Sequence, residues 1–414
     1  MNNSSDASNT ATATIVCCVL VALCEGFDLQ AAGVAAAGIA PEFRPTPEQF
    51  GRFFSASTFG LFLGALAGGR LADTLGRKSI LVASIGLFGL FSILTAQAWS
   101  IASLTGARLL TGFGLGGAFP TLVAWVNEHS APTRRRANVA LVYSGMPFGG
   151  ALVSLLSMLT ESAHWRSIFL AGGIAPLVLV PVLLWALHEA RPARVTAAAA
   201  SEKRRPGESL PKTGSFLAIF GDGRALATLL LWVSCFLGLL TVYLMLSWLP
   251  TLLRDAGFSK IEAGCAQIAF NVGGALSALL LGELLEGKLR NPSIVATMIA
   301  APLLVFLLSR SSHEFALAVA AAFGLGGALL AAQGYFYASA ATTYPTSIRG
   351  VGSGATVAAG RLGSIAGPML GGALTAAGHR STQLLSEIVP LVVLGSVVAL
   401  AFAWHTSRTR SLSD

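Results

Sequence analysis

The sequence predicts an all-α integral membrane protein of twelve transmembrane helices arranged as two six-helix bundles. Three observations carry that expectation. Of the 414 residues, 54% are hydrophobic and 11% charged, which excludes a water-soluble globular protein. The apolar residues fall in long runs of a length suited to crossing a bilayer as a helix, separated by short polar breaks. A six-residue motif in the first half of the chain recurs unchanged in the second.

Taken in order, the apolar runs cover 14–40, 51–72, 80–98, 103–126, 139–160 and 168–187, then 226–252, 263–284, 294–308, 315–342, 352–376 and 385–405. Residues 191–223, rich in Lys, Arg, Pro, Ala and Ser, read as a linker between an N-terminal bundle, 1–190, and a C-terminal bundle, 224–414. The polar opening residues lack a charged leader, so the first run reads as a retained span rather than a signal peptide. A net charge of +8 raises nucleic acid as a partner, but the charges sit in short loops rather than in one patch. Of the 27 Lys and Arg, eighteen fall on the side of both termini and seven on the other. The positive-inside rule therefore predicts cytoplasmic termini and a cytoplasmic linker.

The repeated motif is Phe113-Gly114-Leu115-Gly116-Gly117-Ala118, found again as Phe323-Gly324-Leu325-Gly326-Gly327-Ala328. Each copy is followed by a Pro-Thr-x-x-Arg loop, at Pro132 to Arg136 and at Pro345 to Arg349. Their shared order and spacing indicate duplication. Parallel repeats of this size place a binding site near the bilayer midplane, between the halves.

The polar groups inside the apolar runs mark that site. Glu25 and Asp28, three apart on one helical face, cost roughly 2.5–3.5 kcal/mol each at a membrane centre, so they look into a protein or water-filled interior. One reading is a structural pair satisfied by a neighbouring helix, the other a proton site. Arg108 needs an anion in a dry bundle, with Glu25 and Asp28 as candidates, unless it snorkels to the outer surface. Arg361, within Gly360-Arg361-Leu362-Gly363, presents a bidentate fork either to an anionic substrate or to a structural partner. Gln267, Asn271 and Gln333 are amides that must find partners, and Tyr243, Trp248, Tyr335 and Tyr337 either complete a pocket or anchor helix ends. The Gly60-x-x-x-Gly64-x-x-x-Gly68 run reads as a helix-packing stripe, as does the Gly145 to Gly150 segment. Cys17, Cys18, Cys24, Cys235 and Cys265 read as buried thiols. No phosphate-binding loop, metal motif or nucleophile elbow occurs, so the expectation is a carrier without cofactor or metal rather than an enzyme or an ATP-driven pump.

The stretch Gly69-Arg70-Leu71-Ala72-Asp73-Thr74-Leu75-Gly76-Arg77-Lys78 resembles the loop between the second and third helices of the major facilitator superfamily. Gly76 permits a tight turn there, and Asp73 is placed to pair with an Arg or to cap a helix. The resemblance implies a conformational latch built from Gly69, Asp73, Gly76, Arg77 and Lys78; its counterpart from Gly282 to Lys288 is degenerate. Glu25-Gly26-Phe27-Asp28 resembles the first-helix element of the aromatic acid:proton symporter branch, with Glu in place of the first Asp. Leu246 to Thr251 and Tyr344 to Gly352 are also similar to that branch, and Glu25 to Gly33 resembles its 3-(3-hydroxyphenyl)propionate transporters.

What this resemblance implies is a monomeric, multi-pass carrier of the bacterial inner membrane. It imports an aromatic carboxylate, such as 3-(3-hydroxyphenyl)propionate or a hydroxybenzoate, with a proton. Glu25, Asp28 and Arg108 couple the proton, leaving open which acid carries it. Arg361, Gln267, Asn271, Gln333, Tyr337, Tyr243 and Trp248 face the substrate. Rival expectations are export, another small organic anion or sugar acid, or a membrane sensor of aromatic acids, which needs an output domain larger than the tails and linker hold.

Overall fold

The computed structural model of the chain describes residues 2–131, 133–186, 216–284, 290–311, 314–378 and 381–411. The first half holds α1 (Asn2–Phe43), α2 (Pro47–Leu75), α3 (Arg77–Ala96), α4 (Ile101–His129), α5 (Arg135–Leu159) and α6 (Trp165–Ala186). The second holds α7 (Ala225–Asp255), α8 (Lys260–Leu284), α9 (Arg290–Ser309), α10 (Phe315–Thr343) and α11 (Arg349–Ala376), then α12 (Ser381–Glu387) and α13 (Val389–Ser411). Residues 187–215, which include most of the expected 191–223 linker, lie outside the described residues, as does Pro132.

Eleven segments among the described residues are long and apolar enough to cross a membrane, α12 and α13 contributing one jointly, Gln383–Arg408. The expected span at 352–376 does not join them by composition: α11 has 28 residues but is diluted by glycines and carries Arg361. Helix starts follow from local chemistry. Thr46 and Gln49 cap α2 reciprocally, with Pro47 as its first residue. Ser100 and Ser103 do the same for α4.

Packing repeats with the sequence. In the first half α2 lies on α4, α1 on α5, α3 on α4 and α3 on α6. In the second, α8 lies on α10, α7 on α11, α9 on α10 and α9 on α13. The duplicated hexapeptides do matching work within this frame. Gly114 faces α3 and Gly116 faces α2, while Gly324 faces α9 and Gly326 faces α8. The Gly60, Gly64 and Gly68 stripe is the α2 side of the α2–α4 seam, against Leu109, Phe113 and Gly117. Gly145 and Gly149 of α5 lie against Ala22, Leu23 and Phe27 of α1.

Among the described residues the contacts between the halves gather toward one end of the bundle, that of the α1–α2, α5–α6, α7–α8 and α11–α12 connections. There α2 crosses α11, α5 crosses α8 and α1 meets α7. Ser55 Oγ donates to the Ile365 carbonyl at 2.8 Å, Thr58 Oγ1 to that of Ser364 at 3.4 Å, and Lys260 Nζ to that of Thr160. The α2–α11 crossing is backbone on backbone: a Cβ on Gly372 would lie 2.6 Å from the Pro47 carbonyl oxygen and 3.0 Å from Gly51 Cα. Overpacking of this kind costs about 1–3 kcal/mol. Gly372→Val is therefore expected to separate the halves here, read as a longer distance between spin labels at Thr46 and Ala377; an unchanged distance would contradict the crossing.

Candidate functional site

Asp28 and Arg108 form a closed unit. Neither side chain has any exposed surface. Arg108 Nη1 donates to both Asp28 carboxylate oxygens at 2.8 Å, while Nη2 donates to the Asp28 carbonyl at 2.8 Å and to Ser57 Oγ at 3.0 Å. Ser92 Oγ adds a bond to Asp28 Oδ1 at 3.0 Å, and the Phe169 ring lies 5.5 Å from the guanidinium carbon. The surface-snorkelling alternative for Arg108 is thereby corrected: at 0% exposure, on the α1-facing side of α4, the guanidinium gains an anion that the outer surface cannot offer. Of the two candidate acids, Asp28 takes it.

Glu25, one turn earlier on α1, is left without that partner. Both its carboxyl oxygens are buried and accept no hydrogen bond. The cation whose field reaches it is Arg361, on α11 of the other half. Among the described residues, the carboxylate that acts on Arg361 is Glu25, from the first half. Arg361 is half-buried, and Nη1 donates to the Tyr243 hydroxyl of α7 at 3.2 Å. Tyr337 of α10 lies in the same field and accepts from Gln333 Nε2 at 3.2 Å. Tyr143 of α5 interacts electrostatically with both Arg361 and Glu25. It is 41% exposed although it sits well inside α5.

The sequence-predicted residues thus divide. Glu25, Arg361, Tyr243, Gln333 and Tyr337 come together, joined by Tyr143, which sequence reasoning missed. Gln267 and Asn271 lie elsewhere. Gln267 Nε2 and Asn271 Nδ2 both donate to Gln30 Oε1 at 2.9 Å, and Gln30 Nε2 returns a bond to Asn271 Oδ1 at 2.8 Å. This amide cluster ties α8 to α1 across the halves. Gln30 was also missed, although the rule that singled out Gln267 applies equally to it: an amide in an apolar helix needs a partner. Trp248 sits in the same contact zone, donating from Nε1 to the Pro368 carbonyl at 3.0 Å, with Phe54 edge-on at 5.2 Å. Tyr335 packs instead against Phe336 and Phe402.

At the opposite end, Gly76 turns α2 into α3 with φ 88°, the left-handed region that favours glycine. Arg77 is exposed, whereas Lys78 Nζ donates to the Leu184 carbonyl near the end of α6 at 2.8 Å. The side chain of Asp73 lies outside the described residues, as do the 285–289 part of the degenerate counterpart and the side chain of Glu283. All five cysteines are free; Cys265 is half-buried and the others buried.

The Major Facilitator Superfamily matches residues 18–368. The chain is 40% identical to the 3-(3-hydroxy-phenyl)propionate transporter of Escherichia coli (strain K12), over 99% of this chain and 98% of that protein. It is 31% identical to the 4-hydroxybenzoate transporter PcaK of Pseudomonas aeruginosa, over 93% and 91%. Among solved structures, a D-xylose-proton symporter superposes with a TM-score of 0.75 at 16% identity, covering 94% of this chain and 97% of the other.

Proposed function

Because this chain belongs to the Major Facilitator Superfamily, we propose that it imports an aromatic carboxylate with a proton, by alternating access across a bacterial inner membrane. The observation that carries the reading is a buried acid, Glu25, whose carboxyl accepts no hydrogen bond and which lies within electrostatic reach of a half-buried guanidinium, Arg361, on the other half. An unpaired buried carboxylate costs several kcal/mol, and a bound proton removes that charge. With Glu25 neutral, Arg361 loses its nearby anion and is free to take a substrate carboxylate. Proton and substrate then favour each other's binding, and that coupling is reciprocal. The Tyr143, Tyr243 and Tyr337 rings supply the aromatic surroundings for the acid's ring, and Gln333 a polar handle.

Positive-inside charge assigns the termini to the cytoplasm, so a bundle closed at the other end is the inward-open carrier. Residues 1–190 and 224–414 are the rocking halves, linked by 191–223. The amide cluster of Gln30, Gln267 and Asn271, with Trp248 beside it, is the closed outer gate rather than a substrate contact. Asp28 and Arg108 hold α1 against α4 so that Glu25 keeps its place; the turn at Gly69 to Lys78 latches the opposite, outward-open state. A single copy contains the site and both gates, so the monomer is the working unit.

Proteoliposomes offered a panel of labelled aromatic acids, with and without an inward proton gradient, test the reading. Gradient-driven uptake of at least one acid is expected, and uptake of none would overturn it. Arg361→Gln removes charge-assisted bonds of about 1.5–3 kcal/mol and is expected to raise the half-saturating concentration about 10–100-fold.

A further inference from the structure

Another cavity, of about 260 Å³, lies at the closed end of the bundle, away from the Arg361 cluster. Both halves line it, α1, α2 and α5 from one side and α7 and α8 from the other. Its floor, at Gly33 and Ser154, is buried and lies one turn beyond Gln30 and Gly150, so the amide cluster separates it from the central site. Along α1, nine residues part Glu25 from Val34 of its wall, about 13 Å of helix.

The lining has the two characters an aromatic acid needs. Phe50, Met158 and Pro250 give an apolar wall. At the mouth, Arg254 is exposed and Lys260 half-buried, close enough to influence each other, while Asp255 in the lining and Glu161 near Lys260 supply opposing charge. Lys260 spends one of three donors on the Thr160 carbonyl. Small-molecule pockets start at about 300 Å³, so this volume suits a single ring with a short acid chain.

We propose that this cavity is a second binding site for an aromatic carboxylate, entered from the outer face. The ring lies along Phe50, Met158 and Pro250, and the carboxylate meets Arg254 and Lys260. The choice of ligand rests on the function proposed above. An occupant touches both halves and fits only while they are closed here. It stabilises the inward-open state, because a ligand shifts an equilibrium toward the state it binds better. High outside concentrations of the acid therefore slow its own uptake.

The test measures equilibrium binding of 3-(3-hydroxyphenyl)propionate to the purified full chain in nanodiscs, and initial uptake rates over a wide outside concentration range. Two classes of site are expected. Arg361→Gln weakens one, and Arg254→Gln with Lys260→Gln weakens the other at least 10-fold and abolishes the fall in uptake at high concentration. Thr251→Trp, which fills the cavity and leaves both cations, is expected to abolish that fall too, should the charge variants not fold. A single class of site, or a second class indifferent to the mouth variants, overturns the proposal. Binding that responds to the mouth variants but not to Arg361→Gln would instead defeat the central-site reading and leave this site standing.

Discussion

Arg108→Ala is expected to destabilise the protein by about 3–5 kcal/mol, because it strands a buried carboxylate. Asp28 has no exposed surface and both its oxygens bond to one guanidinium nitrogen. Among the described residues, Ser92 is then the side-chain hydrogen-bond donor left to the stranded charge. Asp28→Asn is the milder change, since the amide oxygen still accepts from Arg108 while the amide nitrogen faces a donor. Thermal unfolding in detergent should rank wild type above Asp28→Asn and that above Arg108→Ala. The double change Asp28→Leu with Arg108→Met is expected to recover most of the stability, since apolar replacement of a buried pair is often neutral. Transport should not return with it. A single Arg108→Ala protein as stable as wild type would refute the closed-pair description.

Glu25→Gln carries the second large effect. The amide imitates the protonated acid in shape and neutrality but releases no proton. A carrier with this change should still exchange internal for external acid within a few-fold of wild type. Accumulation driven by a proton gradient should collapse to equal concentrations on both sides. Substrate affinity should also become nearly independent of pH, because proton and carboxylate no longer share Arg361. Full gradient-driven accumulation in this variant would remove Glu25 from the role and return it to Asp28.

The long apolar runs, the duplicated hexapeptide and the glycine stripe were legible because lipid imposes length and close packing over whole helices. The repeated glycines meet corresponding neighbours in the two halves, since Gly116 and Gly326 occupy matching seams. The intramembrane charges were legible as anomalies of cost. Their pairing was not, because Glu25 and Asp28 lie one turn apart and only the approach of α4 and α11 decides which cation each meets. The amides show the same limit: chemistry demands partners for Gln267 and Asn271 without saying that Gln30 is one of them. Tyr143 gave no signal, since a tyrosine inside an apolar run reads equally as an interfacial anchor.

Among the bonds joining the halves, Ser55, Thr58 and Lys260 all donate to main-chain carbonyls, and Gly51 meets Gly372 without side chains. Carbonyls are the same whatever residue bears them. On the proposed alternating-access cycle, this contact is therefore largely indifferent to drift at Ile365, Ser364 and Thr160, and none of these bonds uses Tyr243, Gln333 or Tyr337. On the proposed function, cargo preference and carrier motion then lie on separate evolutionary axes, so a library randomised at Tyr243, Gln333 and Tyr337 should yield new preferences without rebuilding the gate.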